Sequence, residues 1–76
     1  MNKITVCTMI NKLTKGITID ARHRLLIYSH ERVHIIKDRN FSIEDDFLFF
    51  TNREESFIEN VCVPFDVIES ITFESI

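Results

Sequence analysis

Residues Asp46–Phe73, DFLFFTNREESFIENVCVPFDVIESITF, decide the fold class of this 76-residue chain. The apolar run Phe47–Phe50 is too short for a buried helix and is rich in aromatic residues, which favours a strand covered on both faces. The polar run Asn52–Ser56 has the length and composition of a hairpin loop. The stretch therefore opens with a predicted strand and a tight turn.

A returning strand and a last strand complete this stretch. The returning strand covers Phe57–Val63 and ends at Pro64, which has no N–H to donate to a neighbouring strand. Residues Phe65–Glu69 fit one short 3₁₀ or α turn, and Ile71 and Phe73 then alternate with polar residues as in a strand. This order of elements resembles the closing half of an SH3-like or Sm-like small barrel.

The N-terminal residues also read as strands. Residues Ile4–Ile10 alternate apolar with smaller or more polar side chains, which is typical of a half-buried strand. Gly16, the one glycine, predicts a backbone position with φ > 0. It also opens a second predicted strand, which runs to Asp20.

Residues 20–32 allow two interpretations. Asp20 could cap a helix through this segment, whereas Leu25–Tyr28 and Val33–Ile36 could be the two strands of a hairpin. We favour the hairpin because β-branched residues cluster after Arg32. The prediction is an all-β fold, a small antiparallel SH3-like or Sm-like barrel of five or six strands with one short helical turn near 65–69.

Length and composition indicate one small domain over residues 1–76. Hydrophobic content of 45% with seven Phe is enough for one core, and a single Gly excludes a Gly-rich phosphate loop. Residues 4–10 are too short for the core of a signal peptide, and no run approaches a membrane span of about 20 residues. The cytoplasm is therefore the expected location, and there Cys7 and Cys62 are expected to be reduced, buried thiols and not a disulfide.

The charges are divided unevenly along the chain. Residues 1–39 carry eight Lys or Arg against three Asp or Glu, whereas residues 40–76 carry one against nine. Such asymmetry favours a charged partner. The alternative is that the two halves interleave in one barrel and neutralise each other.

No residue pattern indicates catalysis, a metal or a cofactor. His30 and His34 are four residues apart, with His23 before them, but no further ligand follows at zinc-site spacing. The adjacent carboxylates at 44–46 lack the spacing of a calcium loop. The serines sit in no nucleophile elbow and the cysteines have no activating neighbour in sequence. We therefore expect no catalytic residues, no metal, no cofactor and no enzyme activity.

The leading functional prediction is a binding or regulatory module that acts through protein–protein contacts and self-association. Alternation assigns twelve residues to the core: Ile4, Val6, Ile17, Ile19, Leu26, Ile35, Phe47, Phe49, Val61, Val63, Ile71 and Phe73. It leaves Ile36, Leu48, Phe50 and Ile58 on uncovered faces, which marks an interface. The predicted assembly is a homo-oligomer, most simply a dimer, with Phe50 and Ile58 near its centre. The acidic residues around this hairpin, Glu54 and Glu55 among them, would meet the basic half of a second copy or a basic partner protein.

The alternative prediction is a barrel that binds single-stranded nucleic acid, RNA above all. The basic N-terminal half would supply Arg22, Arg24, Arg32 and Lys37, with Tyr28 as the aromatic residue beside them. The net charge of −3 opposes binding of a polyanion, so this class ranks second.

Overall fold

A computed structural model describes residues 1–30 and 32–76. Its elements, in chain order, are α1 (Lys3–Thr14), β1 (His23–Ser29), β2 (Arg32–Ile36), β3 (Phe41–Ile43), β4 (Phe47–Arg53), β5 (Ile58–Pro64), a 3₁₀ turn (Phe65–Val67) and β6 (Ile68–Ser75). The chain is therefore mostly β, with one N-terminal helix that the all-β prediction did not include.

Helix α1 replaces the strand predicted for residues 4–10. Val6, Ile10 and Thr14 are spaced four residues apart and are the buried residues of α1. Val6 and Ile10 also fit the two-residue alternation of a strand, so these two residues are compatible with a helix and with a strand. The difference lies in Ile4, which alternation places in the core but which is exposed on the helix surface.

Local hydrogen bonds mark both ends of α1. The Asn2 side-chain oxygen accepts the N–H of Thr5 at 2.9 Å and caps the first turn. At the other end the chain takes positive φ at Lys15 (49°) and Gly16 (81°). The prediction of φ > 0 at Gly16 is confirmed. The strand predicted for 16–20 is wrong, because these residues instead carry the chain out of the helix.

Within residues 1–30 and 32–76, six strands form two antiparallel three-stranded sheets. Sheet 1 has the order β2-β1-β6 and sheet 2 the order β3-β4-β5. The favoured hairpin at Leu25–Ile36 is confirmed as the β1–β2 pair, with Ser29 opposite Arg32. Glu31, in the predicted turn, lies outside the described residues. The strand pairs of the described residues give two sheets and no closed ring.

The turn between the last two strands ties both sheets together. Pro64 ends β5, as predicted, and the 3₁₀ turn occupies the first three residues of the predicted 65–69 segment. The Phe65 N–H donates to the Asp46 carbonyl at 3.1 Å, which continues the β4–β5 register past the proline. The chain then enters β6 and crosses to sheet 1.

The core lies between the two sheets and α1. Its buried apolar residues are Val6, Ile10, Ile19, Leu25, Ile27, Ile36, Leu48, Phe50, Val63, Phe65, Ile68 and Ile71. The predicted assignment of faces was wrong for three strands. In β1, β2 and β4 the neighbours of the predicted core residues point inward, since continuous apolar runs contain no alternation from which to choose a face.

Candidate functional site

Some residues of the predicted protein interface lie in the core, and others lie on the surface. Leu48 and Phe50 are 0% and 1% exposed, so the prediction that they lie on an uncovered face is corrected. Ile36, assigned to the same kind of face, is also buried. Ile58 is 58% exposed and remains available for contact.

The predicted rim of acidic residues is in part neutralised within the chain. Glu54 and Glu55 are both exposed, and Glu54 accepts a 2.6 Å bond from the Lys37 ammonium. Ion pairs that join the basic half to the acidic half are Lys3–Asp45, Arg24–Glu74 and Lys37–Glu54. The two halves thus interleave, and the charge difference along the sequence does not become two separate poles.

The residues predicted to bind nucleic acid are not brought together. Arg24 forms a salt bridge with Glu74, and Lys37 forms one with Glu54. Arg22 precedes β1, whereas Arg32 lies opposite the last residue of β1. At about 3.3 Å per residue, these two exposed arginines lie at opposite ends of sheet 1, roughly 20 Å apart. They do not form one strip beside Tyr28.

The outer face of sheet 1 carries a contiguous group of four apolar side chains, here named the apolar face. It consists of two cross-strand pairs, Leu26 with Ile35 and Tyr28 with Val33. Val33 and Ile35 are 44% and 39% exposed, and Leu26 and Tyr28 are half-buried. None of the four belongs to the core cluster or packs against it. A solvated sheet face normally carries polar residues, so this face is unusual.

In strand β2 the inward and outward positions of polar and apolar side chains are inverted relative to an ordinary surface strand. Its histidine, His34, points inward, while Val33 and Ile35 point outward. The His34 ring packs edge-on against Phe50 with centroids 6.1 Å apart. Burial lowers the pKa of His34, the Arg32 charge lowers it further, and Glu59 acts in the opposite direction. The inward histidine is therefore favoured in its neutral form.

The outer face of sheet 2 contains a shallow cleft of about 380 Å³, here named the arginine cleft. Its lining residues are Arg39, Asn40, Phe41, Ser42, Phe49, Thr51 and Arg53. Phe49, Thr51 and Arg53 share one face of β4 because side chains alternate along a strand. Within residues 1–30 and 32–76, no carboxylate forms a salt bridge with Arg39 or Arg53.

Comparisons with protein-family models, with curated proteins and with solved structures gave no match.

Three further properties of the described residues bear on the site. They contain no group of three or more His, Cys, Asp or Glu side chains placed to hold a metal ion. Across the same residues, no helix combines the length and apolar character needed to cross a membrane. Cys7 and Cys62 are free thiols, the first half-buried and the second exposed.

Sequence reasoning does not predict either outer surface as a group. It places Val33 in a strand without assigning its face, and it assigns Leu26, Ile35 and Phe49 to the core. Arg39 and Arg53 come from separate segments, and only the pairing of β3 with β4 brings them to one cleft. The sequence signal for such surfaces is that the apolar runs of β1, β2 and β4 place apolar side chains on both faces of each strand.

Proposed function

We propose that this chain is a non-catalytic protein-binding module whose contact surface is the apolar face of sheet 1. The observation that carries the proposal is the inversion of β2, with His34 buried and Val33 and Ile35 exposed. Local rules are most often broken where function requires it. Apolar patches framed by polar residues are typical of protein interfaces.

The simplest partner is a second copy of the same chain. Two copies related by a twofold axis would bring the same face together and remove all four apolar side chains from water. A standard interface takes about 800 Å² per partner, roughly a sixth of the 5097 Å² surface of this chain. Because a domain of this size is marginally stable alone, such burial would also stabilise the fold.

The polar surroundings of the apolar face support an interface of this kind. Ser70 and Thr72 of β6 lie opposite Tyr28 and Leu26, and the Arg24–Glu74 ion pair lies at one end of the face. This gives an apolar centre with a polar rim, the usual anatomy of a protein interface.

We also propose that the two sheets are the halves of one open SH3-like or Sm-like barrel. Strand β2 leads into β3 through residues 37–40, and the Asn40 carbonyl accepts the Thr51 N–H at 3.0 Å. The chain therefore passes from sheet 1 to sheet 2 along one bent path, as a barrel strand does when it turns a corner.

Sedimentation velocity at micromolar concentration tests self-association. The wild-type chain should sediment with at least twice its 9.0 kDa mass, and Ile35→Glu should sediment as a monomer because a carboxylate would be buried in the interface. Ile35→Thr is a milder variant for the same test. Ile58→Glu is the matched control, because Ile58 is exposed on the other sheet and should leave the mass unchanged.

A wild-type chain that remains monomeric throughout the concentration range would contradict self-association through this face. A mass that falls in Ile58→Glu and not in Ile35→Glu would place the interface on sheet 2 instead. Phe50→Glu is unsuitable as a test, because Phe50 is buried and the charge would unfold the chain.

A further inference from the structure

The outer face of sheet 2 has a different chemistry from the apolar face. We propose that the arginine cleft binds single-stranded nucleic acid, with one base stacked on Phe49 and phosphates beside Arg39 and Arg53. This site is independent of the proposed protein interface, since it lies on the other sheet and shares no residue with it.

The surroundings of Phe49 leave room for a planar ligand. Phe49 is half-buried on the outer face, and its cross-strand neighbours are Ser42 on β3 and Cys62 on β5. Both of these directly paired neighbours are small, although Phe41 of β3 also lines the cleft. β-Sheets that bind single-stranded nucleic acid use aromatic residues on a solvent-exposed face to stack bases.

The charges around Phe49 fit an anionic ligand. Arg53 lies four residues from Phe49 on the same face of β4, about 13 Å away at strand spacing. Arg39 lines the cleft from the connection between β2 and β3. Within the strand bounds, the outer-face positions of β3, β4 and β5, which are all described, carry no acidic residue, although the chain as a whole has a net charge of −3. Glu44 follows β3 directly, and its N–H donates to the Phe47 carbonyl at the end of the face away from Arg53.

The neutral polar residues favour a nucleic acid over an acidic peptide. Asn40, Ser42 and Thr51 also line the cleft and offer neutral hydrogen-bonding groups to base edges, although the Thr51 hydroxyl donates to Asn60 Oδ1 and is available to a base only as an acceptor. An acidic peptide would use the guanidinium groups but would leave the exposed part of the Phe49 ring without a planar partner. A nucleotide can stack its base on the Phe49 ring and also place its phosphate beside the guanidinium groups.

Fluorescence polarisation with labelled single-stranded RNA and DNA oligonucleotides tests the site. Phe49→Ala should weaken binding by about tenfold or more through lost stacking, and Phe49→Tyr should retain it. With two phosphate contacts, the slope of log affinity against log salt should be about −1.4, and Arg53→Gln should reduce its size by about 0.7. Circular dichroism establishes that each variant is folded.

Matched controls come from residues of the same types outside the cleft. Phe57→Ala removes an exposed phenylalanine, and Arg22→Gln and Arg32→Gln remove exposed arginines at opposite ends of sheet 1. These three variants should bind as the wild type does.

Three results would overturn the proposal. The first is no binding of either oligonucleotide at low salt. The second is loss of binding in Arg22→Gln or Arg32→Gln while Arg53→Gln binds normally. The third is equal competition by polyglutamate, which would assign the cleft to acidic peptides. Ile35→Glu should leave oligonucleotide binding unchanged, so failure here and failure of the protein interface are distinguishable.

Discussion

At the scale of single residues, His34 is the ionisable side chain that the described part of the chain buries among apolar groups. Its neighbours include Phe50, in edge-on contact, and the Ser29 hydroxyl, 3.5 Å from Nε2. The lowered pKa means that the folded chain takes up a proton at this site less readily than the unfolded chain. His34 therefore links the stability of the fold to pH.

The free energy of unfolding should fall as the pH is lowered through 6.5, the ordinary histidine value. Above that value neither state binds the proton. Below it the unfolded chain binds more protons, and stability is lost until the folded pKa is passed. Urea unfolding at a series of pH values between neutrality and about pH 5 measures the effect.

His34→Gln should remove most of this pH dependence, whereas His30→Gln changes an exposed histidine and should retain it. Asp20 does not interfere in this window. The Arg22 backbone N–H is the main cause that lowers the pKa of its carboxyl below 3.8, so its contribution is lost only at more acidic pH. Equal pH dependence in His34→Gln and the wild type would contradict the role of His34.

At the scale of elements, β5 is the outer strand of sheet 2 and its second edge is free within the described chain. The Glu54 N–H donates to the Phe57 carbonyl, and the Phe65 N–H donates to the Asp46 carbonyl, both in the same β4–β5 register. Hydrogen-bonded and non-hydrogen-bonded pairs alternate in an antiparallel ladder. Every second N–H of β5 must therefore point away from β4.

Amide hydrogen exchange of β5 should alternate along the strand. The N–H groups of Ile58, Asn60 and Cys62 point to the free edge and should exchange fast, while the alternate residues within Glu59–Val63 should be protected. Residue-resolved exchange by nuclear magnetic resonance gives the comparison. Uniform protection would contradict a free edge and would indicate that another strand pairs with β5.

At the scale of the whole molecule, α1 joins the two sheets. It contacts β6 of sheet 1 and β3 of sheet 2, and Val6 and Ile10 belong to the same core cluster as both sheets. Lys3 also pairs with Asp45, beside the start of β4. The helix therefore covers apolar surface that two small sheets would otherwise leave open to water.

Replacing a buried and an exposed isoleucine of α1 by alanine should change the free energy of unfolding by very different amounts. Ile10→Ala should lower the free energy of unfolding by about 2–5 kcal/mol, because it leaves a cavity in the shared core. Ile4→Ala should change it by no more than about 0.5 kcal/mol, since Ile4 is exposed on the same helix. Chemical denaturation measures both.

Comparing the Ile4→Ala and Ile10→Ala variants also distinguishes a helix from a strand over residues 4–10. A strand would place Ile4 and Ile10 on one buried face and make the two truncations similarly costly. A loss of about 2–5 kcal/mol is a large fraction of the 5–15 kcal/mol that stabilises a typical domain. Similar losses for Ile4→Ala and Ile10→Ala would contradict the helix.

The sequence by itself determined the features that depend on neighbouring residues. Pro64 cannot donate to a ladder, so the end of β5 was predictable, and Gly16 indicated its positive φ. The polar segments at 29–32 and 52–56 indicated the β1–β2 and β4–β5 hairpins. These signals are local because they arise from backbone chemistry and turn composition.

Only the tertiary structure decided which face of each apolar strand lies inside. The run Phe47–Phe50 is apolar at every position, so its two faces are equivalent until Leu48 and Phe50 pack against the other sheet. For the same reason Val6 and Ile10 fitted both a helix and a strand until the two sheets provided a surface for one helix face. The choice depends on contacts between residues distant in sequence, which no local pattern contains. Both proposed surfaces, the apolar face and the arginine cleft, follow from that choice.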